Sequence, residues 1–211
     1  MNMDYLYSLI LILAAFLLGA CPFSVWIGRC FFKKDITRYG DGNPGAANVF
    51  RAGKNIHIGL LAVLLDILKG IPFVYISYAV FDLPMSIVTM TGFAAILGHA
   101  FSPFLHFNGG KSVCVTFGVI IAMPQVDILA VFVLLTLFGF LFIEQHSWVV
   151  IPAPLGTMAY LLVSRNGGSW EALLMLCVLT LFVVKQFDEL RSVPRFKMKI
   201  AGWLQSRSGQ T

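Results

Sequence analysis

Residues 5–28 read YLYSLILILAAFLLGACPFSVWIG, 24 positions without Asp, Glu, Lys or Arg. At 1.5 Å of rise per residue, a helix of that length crosses a hydrocarbon layer about 30 Å thick. Residues 83–110 form a second long stretch free of those four types. The whole chain has the same character. Of its 211 residues 58% are hydrophobic and 12% charged, and the mean hydropathy is +0.84. Such a composition excludes an ordinary soluble domain and predicts an all-α polytopic membrane helix bundle.

Seven candidate spans follow along the chain: 5–28, 56–81, 84–107, 112–126, 128–143, 147–164 and 171–184. The fourth, fifth and seventh are short, which implies tilt, local thinning of the bilayer or burial within the bundle. Outside the first connection and the tail, no segment is long or polar enough to form a second domain. The expectation is one membrane-embedded domain, 1–211, ending in a basic cytoplasmic tail, 185–211. No internal repeat of the transporter kind is visible.

Charge sets the expected orientation. With seven spans and the N-terminus outside, 13 of the 15 Lys and Arg residues fall on the inner side, Arg165 falls outside and Lys69 lies within a span. Asp4, Asp82, Asp127 and Glu171 fall on the outer side. The positive-inside rule therefore predicts an outer N-terminus and a cytoplasmic C-terminus. The net charge of +5 is then a property of the inner face, suited to anionic small molecules and not to nucleic acid. Leu18-Gly19-Ala20-Cys21 looks like a lipoprotein cleavage site, but Met1-Asn2-Met3-Asp4 carries no Lys or Arg and the basic cluster follows the apolar run. That asymmetry favours an uncleaved first helix. Cys21, Cys30, Cys114 and Cys177 are scattered and form no C-x-x-C pair, as expected of small packing residues.

Between the first two spans the chain reads YGDGNPGAANVFRAGK, residues 39–54. Gly40, Gly42, Gly45 and Gly53 permit backbone angles closed to other residues, and Asn43-Pro44 is a turn dipeptide. Such a loop can aim several backbone N–H groups at one anion, with Arg51 and Lys54 supplying charge. The plain alternative is a flexible connector, which leaves the two Asn residues beside the glycines without a reason. A second polar piece, Asn108-Gly109-Gly110-Lys111, follows Gly98-His99 on the same face and immediately precedes a helix. Glycines, a lysine and a helix start make a natural phosphate site, against the alternative of a tight inter-helix turn.

Asp66 and Lys69 lie three apart inside the second span and can neutralise each other there, where a lone charge costs about 2.5–3.5 kcal/mol. Counting residues puts Asp66 roughly 15 Å and His99 roughly 12 Å from the inner face, so the three ionisable groups are expected to meet. His57, His106 and His146 lie nearer span ends without metal-ligand spacing.

The order of Pro22-Phe23, DITRYGDGNPGAANVFRAG, the Asp66 helix DILKG and GHAFSPFLHFNGGK resembles the acyl-phosphate:glycerol-3-phosphate acyltransferase family of bacterial membrane proteins. The resemblance runs from about Gly19 to Gly118. It implies a seven-helix enzyme that moves a fatty acyl group from acyl phosphate to the 1-hydroxyl of glycerol 3-phosphate, giving lysophosphatidic acid. The expected location is the inner (plasma) membrane, with the active face cytoplasmic. Its implied partners are these two substrates and membrane lipid; the sequence identifies no protein partner, and no metal or cofactor is expected. Residue by residue, Asn43, Gly45, Asn48 and Arg51 match the first glycine-rich motif, Asp66, Lys69 and Gly70 the D-x-x-K-G helix, and Gly98, His99, Phe107, Gly109, Gly110, Lys111 and Thr116 the second motif. The implied catalytic set is His99, Lys111, Asn48 and Arg51. The implied substrate-binding set is Gly42, Asn43, Gly45, Gly109, Gly110, Asp66 and Lys69. The general base is left open between His99 and a substrate phosphate oxygen.

The chain also departs from the family pattern. Asp41 stands where the family has Ser, Thr37 where it has Arg, and Ser112 where it has Gly. The late Thr-Arg-x-x-Ser pattern has only Ser147 as a counterpart, and Lys185, Gln186, Asp188, Glu189 and Arg191 occupy the region of the family's His-Arg-x-Asn. An acidic Asp41 in a phosphate cradle repels the ligand unless a cation pairs with it. These departures leave a second reading, a paralogue that acts on another alcohol or binds a lipid or phosphorylated metabolite without acyl transfer.

Overall fold

The computed structural model describes residues 3–165 and 169–197. The remainder of the expected tail, 198–211, lies outside the described residues. In chain order the helices are α1 (Met3–Ala20), α2 (Phe23–Phe32), α3 (Ala46–Gly53), α4 (Ile56–Leu68), α5 (Pro72–Tyr75), α6 (Met85–Ala100), α7 (Val113–Ala122), α8 (Val126–Phe142), α9 (His146–Val149), α10 (Pro152–Ser164), α11 (Trp170–Lys185) and α12 (Phe187–Leu190). A lone antiparallel bridge joins Ile143 and Phe196.

Four helical stretches among the described residues are long and apolar enough to cross a membrane, not seven: Tyr5–Phe32, Ile56–Val80, Met85–Leu105 and His146–Ser164. The expected spans 112–126, 128–143 and 171–184 become α7, α8 and α11, of 10, 17 and 16 residues. At 1.5 Å per residue these reach roughly 15, 26 and 24 Å, short of a hydrocarbon core of about 30 Å. Within the first of them, α7 stops at Ala122, two residues before Pro124, where a proline disfavours helical geometry. The expectation of termini on opposite sides rested on an odd number of spans, and it falls with that number.

The helices approach closely where side chains are absent. A Cβ on Gly19 would lie 2.1 Å from the Ala95 carbonyl oxygen, so α1 and α6 pack backbone to backbone. The same holds for α4 and α7, where a Cβ on Gly118 would lie 1.9 Å from the Ile67 oxygen. Close contact through small residues is the usual adhesive of helices in lipid, where burial of apolar surface supplies little driving force. The main core is built from α6, α7, α8, α10 and α11 around Phe132, Ile120, Met175 and Phe182. A smaller cluster of Val25, Ile27, Ile36, Ala46, Val49, Ala52 and Ala62 seats the loop between the first two spans on α2 and α4. Ala46, Val49 and Ala52 share one face of α3, so the opposite face, with Ala47 and Arg51, is left for the site.

The two ends of the bundle differ in charge. At one end Arg165 pairs with Asp127 at 3.2 Å and Glu171 at 3.7 Å, and Tyr160 donates to Asp127. The sequence set these three charged residues on one side, and the fold gathers them there. At the other end Arg51 and Lys111 share Asp41, while Lys34 and Lys185 donate to the Ala52 and Ala100 carbonyls.

Candidate active site

The loop 39–45 turns through Gly40 at φ +58° and Gly42 at φ +74°, in the left-handed region that favours glycine. Between them the Asp41 carboxylate accepts from the Asn43 N–H at 3.3 Å and from the Asn48 side-chain amide at 2.9 Å. Asn48 is fully buried; its Nδ2 also donates to the Asn43 carbonyl and its Oδ1 accepts from Arg51 Nη1 at 2.8 Å. Two Asn residues beside the glycines thus have a structural reason, since they lock the loop around Asp41.

Lys111 arrives from the second loop. Its Nζ lies 2.8 Å from Asp41 Oδ2 and 2.6 Å from Glu189 Oε1, and Arg51 Nη1 lies 3.5 Å from Asp41 Oδ1. Glu189 Oε2 in turn accepts a hydrogen bond from the Ser147 hydroxyl. The result is a chain of polar groups from four separate segments: Arg51, Asn48, Asp41, Lys111, Glu189 and Ser147. Burial pushes the Asp41 carboxyl upward, but the Lys111 ammonium, the Asn43 N–H and the Asn48 amide more than offset it and hold the group at about 2. Asp41 is therefore an anion already paired with cations, which meets the condition its place in a cradle demanded.

Two cavities, about 480 and 500 Å³, share Asp41, Asn43, Lys111, Gln186 and Glu189 in their walls. Beyond this common wall the first continues to Ala47, Val113, Phe140 and Val150, with Arg51, Gln145, His146, Ser147 and Ser192 as its polar members. The second continues to Gly42, Asn108, Gly109, Lys185 and Asp188. The exposed wall of the first is mostly apolar and that of the second mostly polar, and both meet at Lys111. Lys185 donates to the Ala100 carbonyl at 3.0 Å beside the Phe101 ring, and burial lowers its pKa.

Other expected site residues stand differently. The Gly109 and Gly110 N–H groups, expected to face an anion, donate to the Ala100 and His99 carbonyls at 3.1 and 3.0 Å and so terminate α6. Gly45 is the residue before α3, with no side-chain cap. Asp66 and Lys69 pair at 2.8 Å, almost fully buried, where Ser24 donates to Asp66 at 2.6 Å and Lys69 donates to the Cys21 carbonyl at 2.9 Å. Neither lines the two cavities. The buried His99 ring makes no side-chain hydrogen bond to that pair among the described residues; its Nε2 faces Gly110, where an added Cβ would lie 2.2 Å away. Ser112 has φ +63°, which explains why glycine suits that position, and its hydroxyl donates to the Ile96 carbonyl. Among the described residues no group of three or more His, Cys, Asp and Glu side chains is placed to hold a metal ion.

Sequence reasoning did not anticipate the contacts of Glu189 and Ser24. The one available signal for Glu189 was the acidic pair Asp188-Glu189 inside an otherwise basic segment. Ser24 gave none, because a serine in an apolar run has no period or motif. Part of the expected tail is also folded: Glu144 N–H donates to the Arg195 carbonyl and Lys197 N–H to that of Phe142.

A polar, cation-bearing loop pair thus stands at one end of an apolar helix bundle, between a mostly apolar and a mostly polar cavity. Residues 9–192 match the glycerol-3-phosphate acyltransferase family, and the chain belongs to that family. A glycerol-3-phosphate acyltransferase of Listeria welshimeri is 35% identical over 181 residues, covering 83% of this chain and 87% of the relative. One from Lactococcus lactis subsp. cremoris is 30% identical over 200 residues, 91% of each chain. The crystal structure of PlsY (YgiH), an integral membrane glycerol 3-phosphate acyltransferase, in its glycerol 3-phosphate form is similar, with a TM-score of 0.78 and 29% identity over 87% of this chain and 90% of that one. Its lysophosphatidic acid form gives 0.76 and 28% over the same shares. The chain is thus a multi-pass membrane acyltransferase of this family.

Proposed function

We propose that this protein transfers a fatty acyl group from acyl phosphate to glycerol 3-phosphate, giving lysophosphatidic acid and inorganic phosphate. The observation that carries the reading is the meeting of the two glycine-containing loops at Lys111, between a cavity with apolar walls and one with polar walls. The apolar cavity takes the acyl chain and the polar cavity the glycerol phosphate. Acyl phosphate is already activated, so the protein has mainly to align two substrates and stabilise phosphate charge. Lys111 and Arg51 supply that charge, and Asn43 and Asn48 fix the loop that carries Arg51. The acceptor oxygen attacks the acyl carbon, the carbon–oxygen bond to phosphate breaks, and phosphate leaves with the electron pair. His99 lines neither cavity, which favours a substrate phosphate oxygen as acceptor of the hydroxyl proton. Asp66 and Lys69 support the bundle beneath the site and do not touch substrate.

The site faces the cytoplasm of the inner membrane. The basic residues Lys34, Arg51, Lys111 and Lys185 lie at the site's end of the bundle, and the positive-inside rule favours that end for the cytoplasm. The test is to give the protein in lipid acyl phosphate with glycerol 3-phosphate and measure products by mass. Lysophosphatidic acid is expected. No transfer to glycerol 3-phosphate or to any other polyol, with phosphate binding intact, would sink the reading in favour of a binding paralogue.

A further inference from the structure

Lys111 is held by two carboxylates, and a substrate phosphate cannot join both. A phosphate oxygen on Nζ would stand about 5 Å from each carboxylate, where like charges repel by roughly 3 kcal/mol at an effective dielectric of about 20. One carboxylate must give way. Asp41 is bound inside its own loop by the Asn43 N–H, the Asn48 amide and Arg51, besides Lys111. Among the described residues Glu189 has only Lys111 and the Ser147 hydroxyl, its side chain is 42% exposed, and it sits on the single helical turn α12. Its two carboxylate oxygens accept from one ammonium and one hydroxyl, the kind of donor set that a phosphate takes.

We propose that Glu189 is the exchangeable anion of the phosphate site. It holds the two donors, Lys111 and Ser147, that a bound phosphate takes over, and so it sets how tightly the site binds phosphate. This rests on the reading of Lys111 as a phosphate ligand. It goes beyond that reading by naming a specificity-determining residue 78 positions away in sequence. Displacement of Glu189 also frees Ser147 to donate to the phosphate, so binding exchanges two hydrogen bonds for two and removes one negative charge from the wall common to both cavities.

The test uses the full chain in detergent and inorganic phosphate as the probe, with binding followed by titration calorimetry. Glu189→Gln is expected to bind phosphate about 1.5- to fivefold more tightly, the range for an exposed charge contact. Glu189→Asp, one methylene shorter, is expected to fall between Glu and Gln, and it decides the matter should the Gln variant fail to fold. In a Lys111→Ala background the gain from Glu189→Gln should vanish. Binding no tighter in either Glu189 variant overturns the exchange. If Lys111→Ala alone binds phosphate as well as the unaltered chain, the phosphate role of Lys111 fails and the exchange fails with it. If Lys111→Ala loses binding while the Glu189 variants are unchanged, only the exchange fails.

Discussion

Replacing Asp41 by serine removes the one carboxylate that cannot leave the site. A phosphate oxygen bound to Lys111 Nζ, itself 2.8 Å from Asp41 Oδ2, lies about 5 Å from that carboxylate. Coulomb's law gives roughly 3 kcal/mol per unit charge there at an effective dielectric of about 20, and under about 1 kcal/mol in bulk water. The Asp41 side chain is 30% exposed, so the net repulsion lies between those limits, near about 1.5 kcal/mol or tenfold in affinity. Serine can still accept from the Asn43 N–H, which preserves part of the loop. The assay is initial rates of acyl transfer against glycerol 3-phosphate concentration at fixed acyl phosphate, repeated at two salt concentrations. KM for glycerol 3-phosphate is expected to fall about tenfold at low salt, and by less at high salt, where exposed charges are screened. An unchanged or raised KM would refute the argument and make Asp41 a residue that orients Lys111 more than it opposes the ligand.

Two further predictions concern the scaffold. Lys69→Met leaves the buried Asp66 carboxylate without its ion pair at 2.8 Å and should cost about 3–5 kcal/mol, seen as a lower thermal midpoint in detergent, while Asp66→Leu with Lys69→Met should restore most of it. A midpoint unchanged in the single variant would show that the pair carries no stability. Gly118→Ala puts a Cβ against the Ile67 carbonyl oxygen, an approach of 1.9 Å that only a separation of α4 from α7 relieves. The expected loss is about 1–3 kcal/mol, by the same measurement, and no loss would mean that the two helices are not in backbone contact.

The two loops that meet at Lys111 were legible because they break the surrounding pattern. Glycine, asparagine and cationic residues in an apolar chain pointed to both loops, and the charge spacing of Asp66 and Lys69 anticipated their ion pair. The number of spans was not legible from hydropathy, which measures how apolar a stretch is and not how far its helix runs. Residues 112–126 carry no charged side chain, yet the helix ends at Ala122 before Pro124. Gly109 and Gly110 read in sequence as part of a phosphate site, but their amides close the end of α6. Glu189 was hidden for another reason: its contact with Lys111 exists only when α12 folds back over a loop far away in the chain. Depth alone placed His99 near Asp66 and Lys69, and the ring does lie within electrostatic range of both; depth does not specify the direction in which a ring points, and Nε2 faces Gly110.

The most direct measurement is the rate of lysophosphatidic acid formation by Lys111→Ala, with the variant's thermal midpoint recorded beside it. The cation at the junction of the two loops and the two cavities should matter to the transferring phosphate, so kcat/KM is expected to fall by about 10² or more at an unchanged midpoint. A rate within about threefold of the unaltered protein would contradict the assignment of Lys111 to the centre of the site.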